Sequence, residues 1–345
     1  MKSRIAIFFV TASLLSQVCF SQSSGRNVSK SGTVAATFLE IPIGAAAVGM
    51  GGAFVSRAND ATALYWNVAG IVSLQQNEVV TLHTRWIAQT SADFAGFVLQ
   101  LGNFGALGFS FNSLSMEDMR VRTVEKPEGT GEFFSAGDLA AGISYARQLT
   151  DRFAIGLTAK YIQQKIWHET ATAFAVDAGA TFRTDLLGGM VIGAAISNFG
   201  SSMKLSGRDT RRFGRIDPTK LGSNERIPQD IELDAWDLPL SFQFGMSTDL
   251  VKNENYRLTI AADAIHPSDN YESVNLGSEL AFQDFLFLRG GYHSLFLDQA
   301  EGGLTFGAGL KTSMLFSQAV IKIDYAFRDM GRLQDVHVVS LGVKF

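Results

Sequence analysis

Few side chains in this sequence are arranged for chemistry. Its histidines, His83, His168, His266, His293 and His337, show no i,i+2 or i,i+4 pairing, so no ligand set for a metal emerges. Ser294 follows His293, a nucleophile beside a base on paper, but no third group in the motif orients the pair. The glycine-rich stretch GAAAVGMGGAFVSRANDATALYWNVAGI, residues 44–71, is the remaining candidate. Gly49-Met50-Gly51-Gly52 is followed by Phe54 where a dinucleotide fingerprint needs glycine, and no lysine completes a phosphate-binding loop. The sequence therefore predicts no catalytic residue, no metal and no cofactor: a protein that is not an enzyme. Its net charge of -4 gives no electrostatic footprint for nucleic acid.

The N-terminus sets the compartment. Lys2 and Arg4 precede an apolar run from Ile5 to Leu15 and then polar Ser21 to Ser24, the layout of a secretory signal peptide over 1–21. Cys19, the only cysteine, falls inside it, and Ser16-Gln17-Val18 lacks the small residue expected before a lipid-acceptor cysteine. The expected mature chain has no thiol and no disulfide framework. Charged residues make up 18%, below the usual quarter of soluble domains, while glycine reaches 34 and phenylalanine 27. After the signal peptide no apolar run approaches the ~18 residues of a membrane helix.

From Glu78 onward large apolar residues alternate with small or polar ones. In FGALGFSFNS, residues 104–113, Leu107, Phe109 and Phe111 share one face, while Ala106, Gly108, Ser110 and Asn112 share the other. Phe242, Phe244 and Met246 oppose Ser241, Gln243 and Gly245, and Leu304, Phe306 and Leu310 oppose Thr305, Gly307, Gly309 and Lys311. Side chains alternate across a strand, so each segment has one lipid-compatible face. Fourteen such segments run from 78–88 to 335–345, an even count with the length of membrane strands. The links at Gly102-Asn103, Leu149–Asp151, Asp185–Leu187 and Gln283-Asp284 are tight, whereas the long ones, Leu114–Ala136, Gly200–Leu238, Ile265–Tyr271 and His293–Glu301, fall at the opposite end. Sorting by parity belongs to an outer-membrane barrel, not a soluble sandwich.

These features define an all-β fold: a transmembrane antiparallel barrel of fourteen strands over 78–345, preceded by an extension and plug over 22–77. Its expected setting is the bacterial outer membrane, with lipid around it. The final strand ends on Leu341, Val343 and Phe345, the apolar, aromatic-terminated signal read by barrel-assembly machinery. Of the segment at 44–71, Gly49, Gly51 and Gly52 allow close backbone approach, Asp60 is placed to cap a helix over Ala61–Leu64, and Tyr65, Trp66 and Asn67 offer rings and hydrogen bonds to a lumen wall. The segment is expected to start at the periplasmic mouth.

The phrase GMGGAFVSRANDATALYWNVAGI resembles the N-terminal hatch signature of the FadL-like barrels, and within them the PorV/PorQ group. The resemblance continues through Met116–Ile162 and Ala194–Asp209. One departure stands out: Asn67-Val68-Ala69 replaces the family's Asn-Pro-Ala, which restores an N–H and frees a φ angle. The resemblance implies a role in the type IX secretion system, with exported cargo and translocon proteins as partners received or presented at the cell surface. The wider superfamily implies an alternative, uptake of hydrophobic small molecules. The long loops supply the expected partner surface: Arg208, Arg211, Arg212 and Trp236 in one, Glu125 and Glu128 in the other.

Overall fold

Every amphipathic segment becomes one strand. They are β1 (Glu78–Arg85), β2 (Thr90–Gln100), β3 (Ala106–Met116), β4 (Ala136–Thr150), β5 (Phe153–Ile166), β6 (Glu169–Arg183), β7 (Val191–Gly200), β8 (Ser241–Lys252), β9 (Tyr256–Pro267), β10 (Ser273–Phe282), β11 (Leu286–Leu295), β12 (Leu304–Ser313), β13 (Val320–Arg328) and β14 (Val336–Lys344). The computed structural model describes residues 30, 32–215, 219, 226–297, 300, 302–313, 319–333 and 335–345. The expected signal peptide lies outside the described residues.

Each strand pairs antiparallel with its sequence neighbours, and β1 pairs with β14 from Glu78↔Lys344 to Arg85↔His337. That last ladder leaves no open edge, the condition for a sheet to stand in hydrocarbon. The links at 101–105, 151–152, 253–255 and 283–285 share one end, while the two-residue link Trp167-His168 between β5 and β6 turns at the other. Between β10 and β11 the three-residue link 283–285 turns tightly, with Gln283 and Asp284 both at positive φ, 50° and 48°, and the Phe285 N–H donating to the Phe282 carbonyl. The long segments 117–135 and 201–240 stand at the other end, where each carries a small hairpin: Met119–Arg120 with Phe133–Phe134, and Arg211–Gly214 with Ile227–Asp230. An even strand count puts both ends of the barrel chain on the short-turn, periplasmic rim.

The two faces separate as the alternation demands. Phe109, Phe111, Phe242, Phe244, Leu304 and Phe306 point outward, 39% to 56% exposed. Inward positions are small or polar: Ala106, Ala146, Ala154, Ser144 and Thr158 are buried. They are covered by residues 36–74, which form two short helices, α1 (Ala45–Gly49) and α2 (Ala63–Trp66), and 3-10 turns over Thr37–Glu40 and Val68–Ser73. This segment packs with Val80, Leu82, Phe94 and Val98 of the wall.

Arginine at Phe109 or Phe244 is expected to cost about 2–4 kcal/mol near the midplane. Inward positions are not the milder control that alternation suggests, because a Cβ at Gly108 would run into the Leu64 side chain. We expect Gly108→Arg to leave the barrel inserted but to expose residues 44–74 to protease. Equilibrium folding into lipid and limited proteolysis measure the two effects.

Candidate functional site in the lumen

The lumen segment runs along a track of inward glycines. A Cβ at Gly156 or Gly179 would meet Asn67–Ala69, one at Gly193 would meet Val55 and Ser56, and one at Gly277, Gly291 or Gly307 would meet Gly49–Gly51. Gly51 and Gly52 themselves take φ of +67° and +80° within reach of Leu276, Tyr292 and Asn275. Removing side chains from both partners lets backbone pack on backbone.

Polar anchors fix its position. Asn67, fully enclosed, donates from Nδ2 to the carbonyls of Val55 and Ala180 at 2.9 and 3.0 Å, and its Oδ1 accepts from the Ala69 N–H. This clamp holds the turn despite the valine at 68. Asp263 of β9 accepts from the N–H groups of Phe54 and Val55 at 2.7 and 2.8 Å, tying the bend to the wall. A circuit of charges closes the periplasmic side: Arg57 to Glu279 (3.0 Å), Glu279 to Arg289 (2.8 Å), Arg289 to Asp324 (2.7 Å), Asp324 to Lys322 (3.3 Å) and Lys322 to Asp60 (3.1 Å). It leaves and re-enters the segment three residues apart. Burial alone would raise the Asp60 carboxyl, but Lys322 and the Thr62 hydrogen bonds outweigh it and hold it below its ordinary range. Once desolvated, such a network stabilises only while every member is paired.

Three expectations need correction. Asp60 does not cap a helix over Ala61–Leu64. It accepts from the Thr62 N–H, and α2 begins at Ala63 with no side-chain cap. Tyr65 and Trp66 bond the segment to itself rather than to the wall, donating to the carbonyls of Leu39 (3.1 Å) and Ile43 (2.7 Å) and packing edge-on at 5.1 Å. Burial pushes the Tyr65 hydroxyl well up. Nor does the segment start at the periplasmic mouth. Val34 bridges Asp237 in the long outer loop, and the Ala36 N–H donates to Gln164 near the outer end of β5. The described chain thus runs from the outer end to the periplasmic charges before entering β1. Periodicity reports which face a residue takes, not the direction in which a plugless-looking coil is threaded.

Between this segment and the outer loops lies a cavity of about 240 Å³. Ser110, Asn112, Asn198, Ser241 and Asn275 line it, beside the Lys160–Asp177 pair at 2.8 Å. Glu40 faces it too, and burial together with the neighbouring Asp269 raises its carboxyl to about 7. The loop residues are not all assembled. Arg211 and Arg212 share one hairpin, Arg211 lies 3.8 Å from Asp230, and Arg208 reaches His168 at 2.5 Å. Trp236 bridges Met203 at the loop base. Glu125 and Glu128 belong to the separate loop 117–135, and among the described residues no hydrogen bond or ion pair joins them to that group. Leu341 and Phe345 face outward, with the Phe345 N–H donating to Asn77. Sequence reasoning missed Arg57, Glu279, Arg289 and Asn198. Their spacing carries no motif: strand register sets Glu279 beside Arg289, the lumen segment brings Arg57 to them, and Asn198 meets Lys160 and Asp177 separately beside the cavity.

These features define a closed fourteen-stranded antiparallel barrel with a buried N-terminal segment. The Pseudomonas putida toluene transporter TodX aligns with a TM-score of 0.53 at 14% identity, over 87% of this chain and 96% of its own. The CymD monoaromatic hydrocarbon channel gives 0.52 at 12%, over 88% and 98%. No curated protein is matched by the sequence. The family model described as type IX secretion system protein PorV matches residues 24–264, and the chain belongs to that family of outer-membrane barrels.

Two measurements test the anchors. Asp263→Ala should cost about 1.5–3 kcal/mol for each lost bond to its carboxylate, seen as faster hydrogen exchange at Phe54 and Val55. Glu40 has a folded-state value above its ordinary 4.5. Its seating is therefore complete below pH 4.5, weakens as pH rises, and is least favourable above about 7. Exchange protection of 37–41 should fall between pH 5 and 8, and Glu40→Gln should flatten that dependence.

Proposed function

We propose that this barrel serves type IX protein secretion by receiving or presenting exported cargo at the cell surface, with translocon proteins as further partners. The observation that carries the reading is the anchored lumen segment. A wall bonded to residues 36–74 at Asn67, Asp263 and the charge circuit leaves no passage for a polypeptide, so cargo is handled on the outer loops. There the hairpin Arg211–Asp230 presents Arg211 and Arg212 on one arm and Asp230 on the other, with Phe213 74% exposed. Exposed aromatic and arginine side chains are the usual anchors of protein contacts. Surface delivery thus becomes the task of the loops, and the segment becomes the seal. The alternative is uptake of hydrophobic small molecules: beside its serines and asparagines the cavity is lined by Leu39, Leu64, Trp66, Phe94, Ile265 and Leu297.

Replacing Arg211–Asp230 with a short glycine-serine linker spares the Met203–Trp236 bridge. We expect normal barrel levels and loss of cargo from the surface. Wild-type delivery in that variant, together with co-purified hydrocarbon, would move the role to uptake.

A further inference from the structure

Around the periplasmic mouth the cations outrun the carboxylates that hold them. Arg57 of the lumen segment, Arg257 of β9 and Arg289 of β11 converge on one side chain, Glu279, at 3.0, 3.4 and 2.8 Å. Asp324 takes a second contact from Arg289, and Asp284, exposed on the rim, takes one from Arg257. Even so, Arg57 Nε, Arg257 Nε and Arg289 Nη2 are closed off from solvent with no acceptor among the described residues. Buried donors left unpaired are costly.

A further cation there has no partner. Lys311, inward and half-buried near the end of β12, makes no side-chain hydrogen bond or ion pair among the described residues. It stands directly across the β12–β13 ladder from Lys322. Like charges set opposite each other in register repel, and Lys322 is already committed to Asp60 and Asp324 at 3.1 and 3.3 Å. Lys344 nearby pairs with Glu78 at 3.5 Å. Lys311, Arg57, Arg257 and Arg289 line one cavity of about 150 Å³, many times the ~10–15 Å³ that admits a water.

We propose that this cavity binds a phosphate group, carried by a soluble phosphate or by the headgroup of a periplasmic-leaflet lipid. The uncompensated lysine calls for an anion, and the donors select its shape. A carboxylate has two oxygens in one plane and suits a single guanidinium fork. Here the unmet donors belong to residues of the lumen segment, β9, β11 and β12, and a phosphate group spreads its oxygens in more directions. Arg57 and Arg257, 18% and 20% exposed, stand at the cavity with Lys311. Arg289 backs them, fully enclosed and held over the Phe287 ring at 5.3 Å. A phosphate held here ties Arg57 of the lumen segment to Lys311 of the wall. Occupancy therefore favours the seated segment, since a ligand stabilises the state that binds it. The site belongs to the periplasmic mouth and stands apart from the surface role proposed above.

The test titrates inorganic phosphate into the purified barrel in maltoside micelles, at constant ionic strength, by calorimetry. Phosphate should bind saturably with a Kd of about 1 mM or tighter, and amide exchange across residues 57–60 should slow as the site fills. Acetate at the same concentrations should do neither. Lys311→Gln should weaken phosphate about tenfold, the loss of one charge-assisted bond. Lys311→Arg should restore it, and Lys126→Gln in the outer loop should leave it unchanged. Repeating the titration in phosphatidylethanolamine nanodiscs separates the two sources. An isotherm that survives there assigns the site to soluble phosphate, and one abolished there assigns it to the lipid headgroup. If Lys311→Gln does not assemble, the exchange response of the wild-type protein decides. No saturable binding in micelles, equal binding of acetate, or an affinity unchanged in Lys311→Gln would overturn the proposal.

Discussion

A peptide group in hydrocarbon has no water to bond, and the ladder between β1 and β14 is where this chain meets that requirement last. Eight residue pairs, from Glu78↔Lys344 to Arg85↔His337, convert an open sheet with two unpaired edges into a wall without any. The other features follow from closure. A closed wall of fourteen strands encloses a volume that its inward side chains do not fill, because half of them are glycine, alanine, serine or threonine. The chain fills it with its own N-terminal segment. The inward glycines are small because the lumen segment passes there, and they would be unexplained in an empty pore.

Filling a polar lumen creates a second requirement. Irregular backbone inside the barrel carries N–H and C=O groups that need partners, and the segment's short helices satisfy few of them. Asp263 and Asn67 meet that need with side chains, one from the wall and one from the segment. The circuit from Arg57 to Asp60 does the same for charge, with Arg289 and Asp324 almost wholly removed from solvent. Registry is the consequence. The segment cannot slide along the wall without breaking ion pairs in a place where solvent does not replace them.

Much of this was legible before any coordinates. Period-two alternation marked Phe109, Phe111, Phe242 and Phe306 as outward-facing, because a lipid-facing strand has only two faces and one must be apolar. Loop parity marked the two rims. The hatch phrase located the lumen segment from Gly49 to Asn67, although not its threading. Long-range register was not legible. Glu279 and Arg289 are ordinary charges in the sequence, and Asp263 looks like any inward carboxylate until two backbone amides from residues 54 and 55 meet it. His83 and Asp93, ten residues apart, become neighbours only through the β1–β2 hairpin. Helix capping by Asp60 was a local inference; one carboxylate oxygen instead turns back on Thr62, ahead of the helix, while the other meets Lys322.

The account rests on a lumen closed by its own segment. Planar-bilayer conductance of the purified barrel measures that state directly. The wild-type protein should insert and carry no steady current, with openings appearing once Asn67 is replaced by alanine and the clamp to Val55 and Ala180 is lost. A steady ohmic current through the wild-type barrel, unchanged by Asn67→Ala, would contradict it.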